Sequence, residues 1–247
     1  MYSSYEPELL IYCINLKHRT DRKLHTYTEF KKLGFSSDNV IYPHFVKDKR
    51  GGVYGCYDSH IKIWQDFLFN YPNQNYCLIF EDDFVSNTTS RQQIEEAKKM
   101  ITNNDIDIIM LHHLCIPTKN TINNKYFVNG YGLLTQAYLI NRQFIQRIWD
   151  NNNNSLPQPN GKHIDSVINI DFNDVIYTEK IFYTRQQCFS QLVDKSDNYI
   201  NVIDKLFRRD INKTILNFVK INTFVRDNGI LNDKQIKQFW IFLNNYL

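Results

Sequence analysis

Glu81, Asp82 and Asp83 follow directly on the apolar run at residues 76–80. A continuous apolar run of that length is the pattern of a strand buried on both faces, so three acids crown a buried strand. Adjacent carboxylates repel one another unless a cation or a base neutralises them. Oxygen donors of this kind suit a hard divalent ion, Mg²⁺ or Mn²⁺, that keeps positions open for phosphate oxygens. Alternation along a strand puts Glu81 and Asp83 on one side and Asp82 on the other, unless the strand has already broken into a loop. The competing reading is a solvated acidic turn. Asn15, Arg19 and Arg22 are spaced around a second strand-to-helix turn, where backbone N–H groups and guanidinium forks can hold a nucleotide. Ser59 and His60 open a helical stretch, and His60 shares its apolar stripe with Trp64, Phe67 and Tyr71, the spacing of a hydrogen-bonded core histidine. His112 and His113 end another apolar run, as wall residues or as further metal ligands.

Short apolar runs alternating with helix-like stretches must position these groups, and that rhythm predicts an α/β fold with a mostly parallel central sheet flanked by helices. Strands are expected at 9–14, 40–46, 76–80 and 106–111, with turn and strand at 123–132 and a strand passing into a helix over 136–150. Helices are expected from Thr20, as a cap, to about residue 33 before Gly34, from about residue 56, directly after a loop, until before Pro72, and over 90–102. The stretches 47–55 and 151–162 read as loops. In a parallel sheet the carboxyl ends of strands share one edge, and ligands bind outside it, so Asn15, the acid triplet and His112 are expected around one cleft. Beyond about residue 200 the pattern is helical with no strand, predicting one domain over 1–200 and a packed helical appendage over 201–247, where Phe239, Trp240 and Phe242 cover the core or bind a second subunit.

Composition excludes more than it selects. The 247 residues are 43% hydrophobic and 22% charged, enough for a real core. A net charge of +3, from 29 basic and 26 acidic residues, gives no electrostatic case for nucleic acid or membrane, and no basic stripe is interleaved with aromatics. The five cysteines (Cys13, Cys56, Cys77, Cys115, Cys188) are odd in number and widely spaced, which reads as free thiols in a reducing compartment. The opening residues lack the basic start and apolar stretch of a secretory signal, and no run of about 18 apolar residues occurs to span a bilayer, so a cytoplasmic protein is expected. Asn and Ile number 29 each, a skew of codon bias in an AT-rich genome. In so Asn-rich a chain the sequons at Asn87, Asn153 and Asn212 arise by chance.

Several segments, taken in order, resemble glycosyltransferase family 25, the group of lipooligosaccharide and procollagen galactosyltransferases. INLKHRTDR (14–22) is similar to the family's opening INL-x-R-x-x-R stretch, GCYDSHIKIW (55–64) to its GC-x-x-SH-x-x-x-W segment, and LIFEDDFV (78–85) to its L-x-x-EDD strand end. GYGLLTQAYLINR (130–142) is similar to YG-x-x-AY-x-x-S, with Asn141 where serine is usual, and HIDSVINID (163–171) to the PVD segment, with His163 and Ile164 in place of Pro and Val. The segment 186–198 matches a late Ser-rich motif loosely. The Asn-rich composition suggests a giant-virus member, in host cytoplasm or virion.

The resemblance implies a GT-A-like nucleotide-diphospho-sugar transferase fold, a UDP-sugar donor, Mn²⁺ or Mg²⁺, and transfer of a hexose, galactose or glucose, with inversion to a hydroxyl of a glycan or collagen-like protein. It implies Asp83 as the metal ligand with Glu81 or Asp82 assisting, Asn15, Leu16 and Arg19 near the uridine, Arg22 beside them, and Ser59 and His60 lining the donor pocket. Asp165 matches the Asp of the PVD segment and is the implied general base, with Asp194 and Asp197 as fallbacks in a polar segment that could cover the donor; a helix cap is the plainer role for Asp165. Two other readings stand beside this one. A catalytically degenerate fold would bind sugar or nucleotide, or serve as a virion component, without turnover. A metal-dependent phosphohydrolase would also want Glu81 to Asp83, but with more carboxylates on other strand ends.

Overall fold

The computed structural model describes residues 9–103, 105–117, 124–159, 161, 163–166, 168, 180–185 and 189–191. The appendage expected at 201–247, and Asp194 and Asp197, lie outside the described residues.

The chain begins with β1 (Leu10–Ile14), α1 (Thr20–Lys32), β2 (Val40–Ile41), α2 (Gly52–Asn70), β3 (Tyr76–Glu81), β4 (Phe84–Ser86) and α3 (Ser90–Asn103). It continues through β5 (Ile108–Met110), β6 (Leu114–Pro117), β7 (Phe127–Leu133), β8 (Ala137–Asn141), α4 (Arg142–Asn151), α5 (Ile164–Ser166), β9 (Ile181–Thr184) and β10 (Phe189–Gln191). One sheet runs in the order β2-β1-β3-β8-β5-β9-β7-β6, and β10 pairs with β4 in a small second one. The expected α/β sheet is present, with β1 parallel to β2 and β3, and β5 parallel to β9. It is mixed, because β8 sits antiparallel between β3 and β5, and β7 is antiparallel to both β9 and β6. Since β8 reverses direction twice over, β1, β3 and β5 still end at one edge.

Alternate strand residues face two apolar layers, as a period of two requires. Tyr12, Cys77, Ile79, Tyr138 and Ile140 pack on one side with Trp64 and Phe67 of α2 and Phe144 and Ile148 of α4. Ile11, Cys13, Leu78, Phe80 and Leu139 pack on the other with Phe30 of α1 and Ile94, Ala97 and Met100 of α3.

Three local details depart from the sequence expectation or refine it. The residue before α1 is Arg19, with no side-chain cap, so Thr20 is the first helical residue and not the cap. α2 starts at Gly52, about four residues earlier than expected, which moves Ser59 and His60 from a first turn to the middle of a helix. The strand expected at 40–46 shrinks to β2 plus a bridge between Leu16 and Phe45. Asn141, in contrast, replaces serine without loss: it caps α4 by accepting from the Gln143 N–H at 2.9 Å, and Asn and Ser cap about equally well.

α1 ends as the glycine suggested. Gly34 has φ +74°, its N–H bonds to Lys31 O at 3.0 Å, and the Phe35 N–H reaches Phe30 O at 2.9 Å, the paired bonds of a Schellman motif. Nothing lies within 4 Å of a Cβ added there, so strain alone opposes a side chain. Gly34→Ala is therefore expected to cost about 1 kcal/mol, read as a lower urea midpoint with unchanged slope.

Candidate active site

The polar ends of β1 and β3 and the start of α2 enclose a cleft of about 230 Å³ lined by Leu16, Arg19, Arg22, Ser59, Glu81 and Asp82, among others. β3 is apolar through Phe80 and ends at Glu81; residues 82–83 form a tight turn into β4. Strand alternation therefore stops at Glu81, and the expected pairing of Glu81 with Asp83 against Asp82 does not arise: Glu81 and Asp82 both line the cleft, while Asp82 and Asp83 share Arg22.

Arg22 Nη1 donates to Asp82 Oδ1 at 2.9 Å and lies 3.7 Å from Asp83 Oδ2. Asn15 Nδ2 donates to the other Asp82 oxygen at 2.8 Å and to Arg19 O at 3.1 Å. The base that offsets the acids is thus Arg22; burial pulls its pKa down, but the bond to Asp82 and the nearby Asp83 outweigh this and leave it raised. Arg19 reaches the cleft while its guanidinium forks onto Asp21, at 2.9 and 2.8 Å.

Glu81 is held from the opposite side. Its Oε1 accepts from the Thr135 hydroxyl at 2.7 Å and lies 3.4 Å from His60 Nε2. Burial alone would push the Glu81 carboxyl up, yet His60, the Thr135 hydroxyl and His112 together hold it below the usual value. His60 is fully buried and its Nδ1 pairs with the Tyr138 hydroxyl at 2.8 Å, which also accepts from Trp64 Nε1 at 3.0 Å. The core-histidine reading from spacing therefore describes His60, and it stands behind the cleft wall. Ser59 lines the cleft and donates back to Gly55 O at 2.7 Å.

His112 and His113 part company. His112 Nδ1 pairs with Gln136 Oε1 at 2.8 Å, beside the Glu81 N–H that bonds to Gln136 O. His113 is a buried wall residue on Thr184, its pKa pushed down to about 4 by burial.

Asp165 lies in the short α5, and its Oδ2 accepts from the Leu134 N–H at 2.9 Å. Leu134 has φ +81°, a left-handed conformation that leucine rarely adopts. The next residue, Thr135, is the one bonded to Glu81, so two adjacent residues link Asp165 to the acid triplet. The replacements beside Asp165 differ in setting: Ile164 is buried in the core, and His163 is exposed.

Sequence reasoning missed Thr135, Gln136, Cys56 and Tyr138. The first two reach the site only because β8 is antiparallel, with Phe80 opposite Ala137, and no period in the sequence reports that register. Cys56 had a legible signal: it precedes His60 by four residues, one helical turn. The loop glycines also belong to the site. Gly51, at φ +120°, and Gly52 face the cleft at the N-terminus of α2, where free N–H groups favour an anion. A Cβ on Gly55 would stand 3.2 Å from Asp48 Cβ, so the loop closes tightly over the helix there.

Residues 50–168 match the sequence profile of glycosyltransferase family 25 (LPS biosynthesis protein). The match takes in the segments at 55–64, 78–85 and 130–142; the opening segment at 14–22 lies outside it. Similar solved structures include a glycosyltransferase involved in the glycosylation of the major capsid of PBCV-1, at 11% identity and TM-score 0.45 over 70% of this chain and 79% of that one. Another is a putative glucose-1-phosphate thymidylyltransferase from Bacillus anthracis, at 15% identity and TM-score 0.40 over 73% and 70%. No curated protein matches the chain. Among the described residues, no helix is long and apolar enough to cross a membrane.

Proposed function

From a chain whose residues 50–168 carry the profile of glycosyltransferase family 25, we propose a metal-dependent inverting transferase that moves a hexose, galactose or glucose, from a UDP-sugar to a hydroxyl of a glycan or collagen-like protein. The observation that supports it best is the cleft lined by Arg22, Glu81, Asp82 and the glycine-led start of α2, with Asn15 and Arg22 both bonded to Asp82 and Asp83 beside Arg22. Helix N–H groups suit a diphosphate, and Leu16 and Arg19 on the same wall suit the nucleoside.

A hard divalent ion fits the donor set. Glu81, Asp82 and Asp83 offer only oxygen donors at consecutive positions, Asp82 and Asp83 on the Arg22 side and Glu81 held from the other by Thr135 and His60, so an ion would draw Glu81 and Asp83 together. An ionised carboxylate has about four lone-pair sites, so holding a side-chain partner does not by itself bar an ion. Asp83 with Glu81 would hold Mn²⁺ or Mg²⁺, which when bound supplies Lewis-acid stabilisation of charge developing on the leaving phosphate.

The chain's own residues have separate tasks in this reading. Arg22 and Asn15 fix the Asp82 carboxylate, and the start of α2 holds phosphate oxygens. Inverting transfer is a single displacement, so it needs a base for the acceptor hydroxyl and no protein nucleophile. Asp165 takes that proton, with one oxygen anchored by the Leu134 N–H.

Calorimetry of UDP binding, with and without Mn²⁺, tests this without knowledge of sugar or acceptor. Wild type should bind with micromolar affinity only when Mn²⁺ is present, and Asp83→Ala should lose that binding. Absence of UDP binding with every divalent ion tried would overturn the transferase reading and favour the catalytically degenerate alternative.

A further inference from the structure

Cys56, His60 and Glu81 form a second cluster that the transferase reading does not use as a unit. Their sulfur, nitrogen and oxygen atoms all lie within 4.8 Å of one another. Cys56 and His60 are one turn apart on α2, so their side chains leave the same helix face, and Glu81 meets them from the end of β3. The His60 ring is already oriented. The Tyr138 hydroxyl holds Nδ1 at 2.8 Å, which leaves the fully buried Nε2 facing Glu81 Oε1 at 3.4 Å, an ion-pair contact that lacks hydrogen-bond geometry. A buried polar atom without a hydrogen bond is costly and calls for an explanation.

A metal supplies one. Donor atoms around a tetrahedral zinc stand about 3.4–3.7 Å apart, given bond lengths of about 2.0–2.3 Å, so side-chain shifts of an ångström or less would close this cluster on an ion. Thiolate, imidazole and carboxylate together select zinc-like ions over the hard ions that prefer all-oxygen shells. Tyr138 supplies the outer-shell contact to the second ring nitrogen that metal-bound histidines ordinarily have.

A catalytic nucleophile is a poorer account of the same residues. The burial of Cys56 and the nearby Glu81 and Asp165 push its thiol well above the usual value, which keeps it protonated and unreactive in the free protein.

We propose that Cys56 Sγ, His60 Nε2 and the Glu81 carboxylate form a three-ligand site for a Zn²⁺-class ion on the cleft wall, with its fourth position open to the cleft. On binding, the S–H bond of Cys56 breaks, its proton passes to solvent, and the sulfur lone pair forms the metal bond. Glu81 belongs also to the hard-ion set, so the two ions exclude one another, and zinc would displace Mn²⁺ from the transferase centre.

The test is titration of the purified full chain with Co²⁺, which reports a thiolate ligand through near-ultraviolet charge transfer, followed by displacement with Zn²⁺ against a chelator of known affinity. Wild type should show the thiolate band and bind one ion. Cys56→Ser should lose the band and bind at least about 100-fold more weakly, while Tyr138→Phe should keep the band and bind about 10-fold more weakly. Circular dichroism melts confirm that each variant is folded. A folded wild type with no thiolate band, or a band that survives in Cys56→Ser, would overturn the proposal. Neither outcome depends on UDP, so failure here is separable from failure of the transferase reading.

Discussion

Asp165→Asn should lower turnover with UDP-sugar by about 10²–10⁴-fold, the range for loss of a general base, and leave UDP affinity within twofold. The asparagine is chosen because of what Asp165 does in the fold. One carboxylate oxygen accepts the N–H of Leu134, a residue strained at φ +81°. The Asn side-chain oxygen can accept that same bond, so the loop and the Thr135 hydroxyl on Glu81 stay in place, while the basic oxygen is gone. Asp165→Ala removes both functions and should also loosen the loop. A melt unchanged in Asn but lowered in Ala, with turnover lost in both, would separate chemistry from positioning. Full turnover in Asp165→Asn would transfer the role to another group, with Asp194 and Asp197 next in line.

Phe80→Ala should destabilise the fold by about 3–5 kcal/mol, read as a fall in melting temperature of roughly 10 °C. Phe80 is fully buried, with ring centroids 5.2 Å from Phe30, 4.4 Å from Phe84 and 5.5 Å from Phe189. Those rings join α1, β4 and β10 to the central sheet, so the cavity cannot close without moving several elements. The cluster also seats Glu81, the next residue. A loss below about 1 kcal/mol would mean that the surrounding rings collapse into the space.

The parts of this molecule that were legible in sequence are those written in local periodicity. The apolar run before Glu81, the stripe from Ile61 to Phe67 and the stop at Gly34 each appear as an element or its boundary. The early start of α2 was not, because Gly51 and Gly52 read as loop residues while the helix begins on the second of them. The cleft could be anticipated from three strands with polar ends, and Asn15, Arg22 and Asp82 do meet there. What was hidden is register and direction. β8 is as apolar as its neighbours, so nothing in it announces an antiparallel strand between two parallel ones; with that placement hidden, Thr135 and Gln136 could not be assigned to the site. Side-chain alternation stops short of Asp82 and Asp83 because the strand has already broken into a turn there, the exception left open in the sequence.

The central position of β8 also sets an order of assembly. β1, β2 and β3 can pair from the first 81 residues, but the far edge of β3 waits for residues 137–141, about 60 positions later. During synthesis, β3 therefore presents a strand apolar through Phe80 with an open row of backbone donors and acceptors, the kind of edge that recruits other chains. A nascent chain that pauses before β8 emerges from the ribosome is at its most aggregation-prone there, and α3, whose Ile94, Ala97 and Met100 pack on the Phe80 side of the sheet over β5 and β8, leaves that edge open.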